Sequence, residues 1–307
     1  MKARAIQLSL AALFACAAVA HEGPEHEIDE LTERMRKFGE SAGLLTERAI
    51  EYRVLGKLPE ATTDMERAAV LDPKSGAICR ELGRVLFLAG KANDALPVIA
   101  RGLALKTEEP ADLAALRMLR AEILRSQNEH RKALDDADAA LRLHRQNPEW
   151  YLFRSDLHRQ LKMNKERLAG LDEGIKETGA GILQIERVET LIEAGQFSVA
   201  LPVIETELAD SRIKSSWLIR RARVQLGLGK KAEAERDLRD ALKEIGGRLN
   251  PKVPDASLLL GKALAHELLG EKKDALRAYE MARDKGIGDA VNEKIKALQE
   301  PAPAAKP

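Results

Sequence analysis

Apolar residues recur at spacings of three and four along most of this chain. Between 232 and 245, Ala234, Leu238, Ala241, Leu242 and Ile245 fall on one helical face, and charged residues fill the other. The pattern breaks at short glycine-bearing segments. These are Gly227 with Gly229, Leu-Ala-Gly-Lys at 88–91, Glu-Ala-Gly-Gln at 193–196 and Leu-Gly-Glu at 269–271. Glycine accepts positive φ at a helix end, so each break predicts a turn between two short amphipathic helices.

The layout repeats. The pentapeptide Ala-Leu-Pro-Val-Ile occurs at 95–99 and again at 200–204, an offset of about three units of roughly 35 residues. Ala61, Ala95, Ala133, Ala200, Ala234 and Ala275 then each open a second helix. One further position in each unit carries Ala68, Gly102, Ala140, Glu207, Ala241 or Ala282. Leu82-Gly83 and Arg221-Ala222 sit where a first helix must approach its neighbour. Small side chains are what allow two helices to come close. Pro97 and Pro202 are expected near the start of a second helix, where a missing N–H costs little.

This arrangement resembles the tetratricopeptide repeat family. The family pattern places small residues at the eighth, twentieth and twenty-seventh positions and Pro near the thirty-second. Asp72-Pro73 supplies that Pro in the first unit, and Asn147-Pro148 comes a few residues late in the third. The family Trp is replaced by Leu45, Cys79, Tyr151, Leu218 and Leu259. The fourth unit departs furthest, with Arg167 where a small residue belongs. The resemblance covers 42 to 285, and the array is assigned to 42–288. It implies an all-α, right-handed superhelical solenoid of about seven helix–turn–helix repeats, because no unit can bury its apolar face alone.

The flanks follow from the same reasoning. Residues 21–41 are expected to form a histidine-containing arm to 28 and then a lead-in helix, with Leu31, Met35 and Phe38 on one face. Residues 289–299 are expected to form a polar capping helix, with Val291, Ile295 and Leu298 inward and Lys294 and Lys296 outward. The tail 300–307 is rich in Pro and Ala.

Composition fits this picture. The chain has 307 residues, of which 45% are hydrophobic and only 3% aromatic, which suits alanine-rich helix packing better than a sheet sandwich. A net charge of +1 gives no reason to propose nucleic acid as the partner.

The N-terminus changes the picture. Lys2 and Arg4 precede a run at 6–20 that is apolar apart from Gln7 and Ser9, ending in Ala18-Val19-Ala20. This is the pattern of a secretory signal peptide over 1–20, too short for a comfortable membrane span. It implies export, most simply to a bacterial periplasm. Leu13-Phe14-Ala15-Cys16 is a partial lipobox, so an outer-membrane lipoprotein anchored at Cys16 is the alternative. Cleavage after Ala20 leaves Cys79 alone, which excludes a disulfide framework. Cys79 falls at a core position.

Motifs for catalysis are missing from the sequence: there is no Walker A loop, His-Glu-x-x-His, Gly-x-Ser-x-Gly or Cys-x-x-Cys. The chain is therefore read as no enzyme. His130, His144, His158 and His266 lie in different units without ligand spacing. Asp135-Asp136 and Glu108-Glu109 read as solvated helix faces. The exception is the arm. After cleavage, His21 becomes the N-terminus, and its amine and imidazole with His26 could chelate copper(II) or zinc. A periplasmic metal-handling protein is thus the alternative function.

The leading reading is an exported scaffold or adaptor that binds a protein or peptide in a concave groove. The resemblance implies that the second, fifth, ninth and twelfth positions line that groove. The fifth gives Arg80. The ninth gives Arg84, Glu122, Asp156, Glu189 and Arg223. The twelfth gives Arg53, Phe87, Arg125, Arg159 and Ile192. Arginines at repeated positions could present a row of forks for carboxylates. The family's carboxylate clamp needs Lys and Asn where the first unit has Thr46 and Ile50, so that activity is not carried over.

Overall fold

A computed structural model of the chain describes residues 23–105 and 109–300. They contain sixteen α-helices and no strand. Helix α1 (Pro24–Phe38) precedes seven helix pairs. The first three are α2 (Ala42–Val54) with α3 (Leu58–Leu71), α4 (Gly76–Leu88) with α5 (Ala92–Ala104), and α6 (Pro110–Ser126) with α7 (His130–Leu143). The next two are α8 (Pro148–Gln160) with α9 (Asn164–Thr178) and α10 (Gly181–Glu193) with α11 (Phe197–Asp210). The last two are α12 (Ser215–Gly227) with α13 (Lys231–Arg248) and α14 (Ala256–Leu268) with α15 (Lys272–Ala282). A π turn at Arg283–Ile287 and a 3-10 turn at Gly288–Val291 lead into α16 (Asn292–Gln299). The chain divides into two compact units, the first ending at His144 and the second starting at Arg145.

One turn joins the helices within each pair. Its apex is Gly56, Gly90 or Asn128 in the first unit, and Lys162, Gly195, Gly229 or Gly270 in the second, all with φ between 58° and 76°. The residue after each apex donates its N–H back to the helix, as Lys91 does to the Leu86 carbonyl at 2.9 Å and Met163 to His158 at 2.8 Å. This satisfies carbonyls that a helix end would otherwise orphan. Helix starts are also marked. Ser41, Ser75, Asn147 and Asp255 each accept a backbone N–H at the head of a first helix.

Small residues make the pairs close. Ala49, Ala61 and Ala68 have no exposed surface. A Cβ on Gly83 would sit 2.7 Å from Ile99, and one on Gly174 would sit 2.7 Å from the Tyr151 ring. In the first unit a core forms around Leu45, Met65, Ile99 and Leu119. In the second unit, clusters form around Ile204 and Trp217, around Leu238 and Ile245, and around Tyr279 and Ile295. Burying each large aliphatic chain stabilises the array by ~1.5–3 kcal/mol before entropy is counted.

Several expectations need correction. Helix α1 starts at Pro24, not 29, because Pro24 suits a first helical turn and Glu25 and Glu27 favour the positive helix end. Its buried face is Ile28, Leu31 and Met35. Phe38, the last helical residue, is 72% exposed beside Lys37 rather than inward. Pro97 and Pro202 each lie sixth in their helix, where the missing N–H forgoes a bond to Asn93 or Ser198. Asp136 is buried rather than solvated. The capping helix starts at Asn292, with Val291 and Ile295 buried and Leu298 packed against them.

Candidate functional site

The predicted groove residues of the first unit lie on its first helices. Arg53 on α2 reaches Glu81 on α4 at 2.5 Å, and Arg80 on α4 reaches Asp112 on α6 at 2.6 Å. Arg84 and Arg125 flank Glu122 on α6. Burial pushes the Glu122 carboxyl above the ordinary carboxylate range, and the two arginines oppose that shift. Phe87 is half-buried against the unit's core. Arg53 and Arg80 therefore bridge successive first helices. Two of the arginines expected to offer open forks, Arg53 and Arg80, are already engaged with carboxylates of the array, because stacking brings acids about one repeat away into reach.

The second unit differs. Arg159 on α8 pairs with Asp156 one turn back. Glu189 on α10 stands between two arginines of α12, Arg220 at 2.8 Å and Arg223 at 2.5 Å. Arg220 also lies 5.2 Å from the Trp217 ring centre and donates to the Ser216 carbonyl at 3.0 Å. Its Nε is buried and faces the Glu189 carboxylate at 2.8 Å. Burial lowers the Arg220 guanidinium from its ordinary range, Glu189 opposes this, and Arg223 adds to it.

Beside this trio is a cavity of about 200 Å³ whose apolar lining includes Ile219, Leu260 and Leu264, with Ser216 and Ser257 beside them. In repeat register, Ser216 and Ser257 hold the second position, Ile219 and Leu260 the fifth, and Glu189, Arg223 and Leu264 the ninth. The sequence reading found Glu189 and Arg223. It missed Arg220 and the apolar floor, although extending the same register to α14 identifies Leu260 and Leu264.

A buried ion network fills the fourth pair. Arg167 on α9 is 2% exposed and donates to Ser155 at 3.0 Å, Glu186 at 2.6 Å and Glu193 at 2.7 Å. It replaces the small residue that other pairs carry there.

Of the proposed metal ligands, His21 lies outside the described residues, as do Cys16 and the rest of 1–20. His26 lies in the first turn of α1. A different group gathers at the turn of the last pair. Ligand atoms of His266, Glu271 and Asp274 lie within 4.8 Å of one another. Such nitrogen and oxygen donors suit zinc. Here, however, Glu271 already holds His266 Nδ1 at 2.6 Å and Arg239 at 2.6 Å. The hydrogen bond from His266, and then that from Arg239, hold the Glu271 carboxyl below its ordinary range. The geometry is that of an ion cluster locking a turn. No helix among the described residues is long and apolar enough to cross a membrane.

Comparison with known proteins agrees with this fold. Residues 219–290 match the profile of the tetratricopeptide repeat family. No curated protein matches the sequence. A tetratricopeptide repeat protein from Parabacteroides merdae ATCC 43184 is 18% identical, with a TM-score of 0.58 over 90% of this chain and 100% of that one. YrrB, described as a tetratricopeptide repeat protein with an unusual peptide-binding site, is 14% identical, with a TM-score of 0.47 over 59% of this chain and 91% of its own. PilW, a type IV pilus biogenesis factor, is 17% identical, with a TM-score of 0.47 over 73% of this chain and 98% of its own. With the family profile matched at 219–290 and the same helix–turn–helix unit built along seven pairs, this chain is in fold a tetratricopeptide-repeat protein.

Proposed function

We propose that the chain is an exported adaptor, rather than an enzyme, that holds a peptide segment of a protein partner against the first helices of its repeats. One observation carries this reading. The pocket beside Glu189 and Arg223 is built from residues at the second, fifth and ninth repeat positions, with an apolar floor and a charged rim. A concave site of that composition suits a side chain presented by a partner. Export rests on the signal pattern of 1–20, with the bacterial periplasm as destination and a lipid anchor at Cys16 as the variant.

The test is site-specific photocrosslinking of the full chain in the organism that makes it. A photoreactive residue at Ser257 marks the pocket, and one at the exposed Glu235 on α13 is the control. One protein captured at Ser257 and not at Glu235 is the expected result. No adduct at Ser257, or the same adducts at both positions, overturns the groove reading. Mass spectrometry of the mature N-terminus checks export, and an intact Met1 would count against it.

A further inference from the structure

We propose that the second unit's pocket selects partner segments carrying a side-chain carboxylate beside an aliphatic residue. This rests on the groove reading above and adds the chemistry of the occupant. Arg220 and Arg223 share one carboxylate, Glu189, so this trio carries one more cation than anion. Arg220 is the more buried of the two. Its guanidinium is held by Glu189, the Trp217 ring and the Ser216 carbonyl, and burial withdraws most of it from water. A second carboxylate arriving here would balance the charge of two arginines that now share one acid. Charge complementarity of this kind selects among partners more than it adds raw affinity.

The floor asks for something else. Ile219, Leu260 and Leu264 offer apolar surface around about 200 Å³, enough for one aliphatic side chain. Arginine rim and aliphatic floor line the same cavity, so the acid and the aliphatic residue belong to neighbouring positions of one segment. A segment lying across α10, α12 and α14 passes the pocket with interior residues, which assigns the carboxylate to Asp or Glu.

The experiment is selection of random peptides of about twelve residues, displayed without a free C-terminus, on the immobilised full chain. Enriched sequences are then made in amidated form and titrated by fluorescence anisotropy. The expected consensus has Asp or Glu within two residues of Leu, Ile or Val. Replacing that acid by its amide should weaken binding by about tenfold or more, as should Arg223→Gln, and the two changes together should add little. Arg223→Lys, which keeps the charge without the fork, should retain part of the affinity. Ser257→Trp should block binding. Circular dichroism checks that each variant stays folded. Enriched peptides without an acid, still blocked by Ser257→Trp, overturn the carboxylate inference and leave the groove reading standing. Peptides indifferent to Ser257→Trp, or no enrichment, overturn both.

Discussion

Arg221 and Asp237 meet across the sixth helix pair through two parallel hydrogen bonds, each 2.7 Å long. The same clasp joins Arg48 to Asp64 in the first pair and Arg120 to Asp136 in the third, always across sixteen residues. Each aspartate is buried. In the fourth pair Gly170 takes the acid's place, and Arg154 donates to the Gly170 carbonyl at 3.1 Å and to Glu173 at 2.7 Å. The clasp straps a first helix to its second at a fixed height. A planar guanidinium meeting a carboxylate fork to fork suits that task better than a lysine.

Asp237→Ala should therefore lower stability by ~2 kcal/mol, less than for a fully buried pair because Arg221 keeps partial access to water. Urea denaturation of the full chain measures this. A double-mutant cycle with Arg221→Ala should return a coupling above ~1 kcal/mol, and additive single effects would mean the clasp contributes only packing.

The turn apex offers a change in the opposite direction. Lys162 adopts φ 58° where five of the other six apices are glycine. A side chain there crowds the following carbonyl, at a cost of ~1 kcal/mol. Lys162→Gly should stabilise the chain by ~0.5 kcal/mol once the looser unfolded state is counted, whereas Gly90→Ala should destabilise it by ~1 kcal/mol. Thermal melts of the two variants should shift in opposite directions, and equal shifts would sink the argument.

These cases show what the sequence made readable. Glycine apices and small residues in phase are local signals, so Gly90, Gly195 and Gly270 marked turns without a structure. Asn128 and Lys162 did not, because only the repeat register places them at the same apex. The arginines of the groove were legible as positions but not as partners. Arg53 with Glu81 and Arg80 with Asp112 lie about one repeat apart, and only stacking sets which acid each one faces. The pocket was half legible for the same reason: Glu189 and Arg223 follow from the register, whereas Arg220 points in from a position the family pattern assigns to neither face.

Arg167 tests how far the family pattern can be trusted in the fourth pair. By that pattern, Arg167→Ala restores a small residue and should help. The structure argues the reverse. The variant removes three hydrogen bonds, leaves a cavity, and strips Glu186 and Glu193 of their cation. The loss should be ~3 kcal/mol, moderated because both carboxylates retain some exposure. Glu193→Gln, at the more exposed partner, should cost under ~1 kcal/mol. A calorimetric melt in which Arg167→Ala is neutral would show that the network is not needed for stability.

Glu122 gives a pH dependence of definite sign. Its folded carboxyl is raised by burial, and Arg84 and Arg125 only partly offset this. A carboxyl raised above its unfolded value contributes stability that is fully present below the unfolded pKa, about 4.3, and is lost as pH rises through the folded value. Ionised Glu122 is therefore a cost at neutral pH, which a neutral amide of the same shape removes. Glu122→Gln should raise the melting temperature at pH 7.5, and the gain should shrink towards zero near pH 3, where the wild-type side chain is protonated in both states. Arg84→Gln should act in the other direction, pushing the Glu122 carboxyl further up and steepening the loss of stability between those pH values. Melts of the three proteins across that range decide the matter, and a Glu122→Gln gain that is the same at every pH would show that charge burial is not its source.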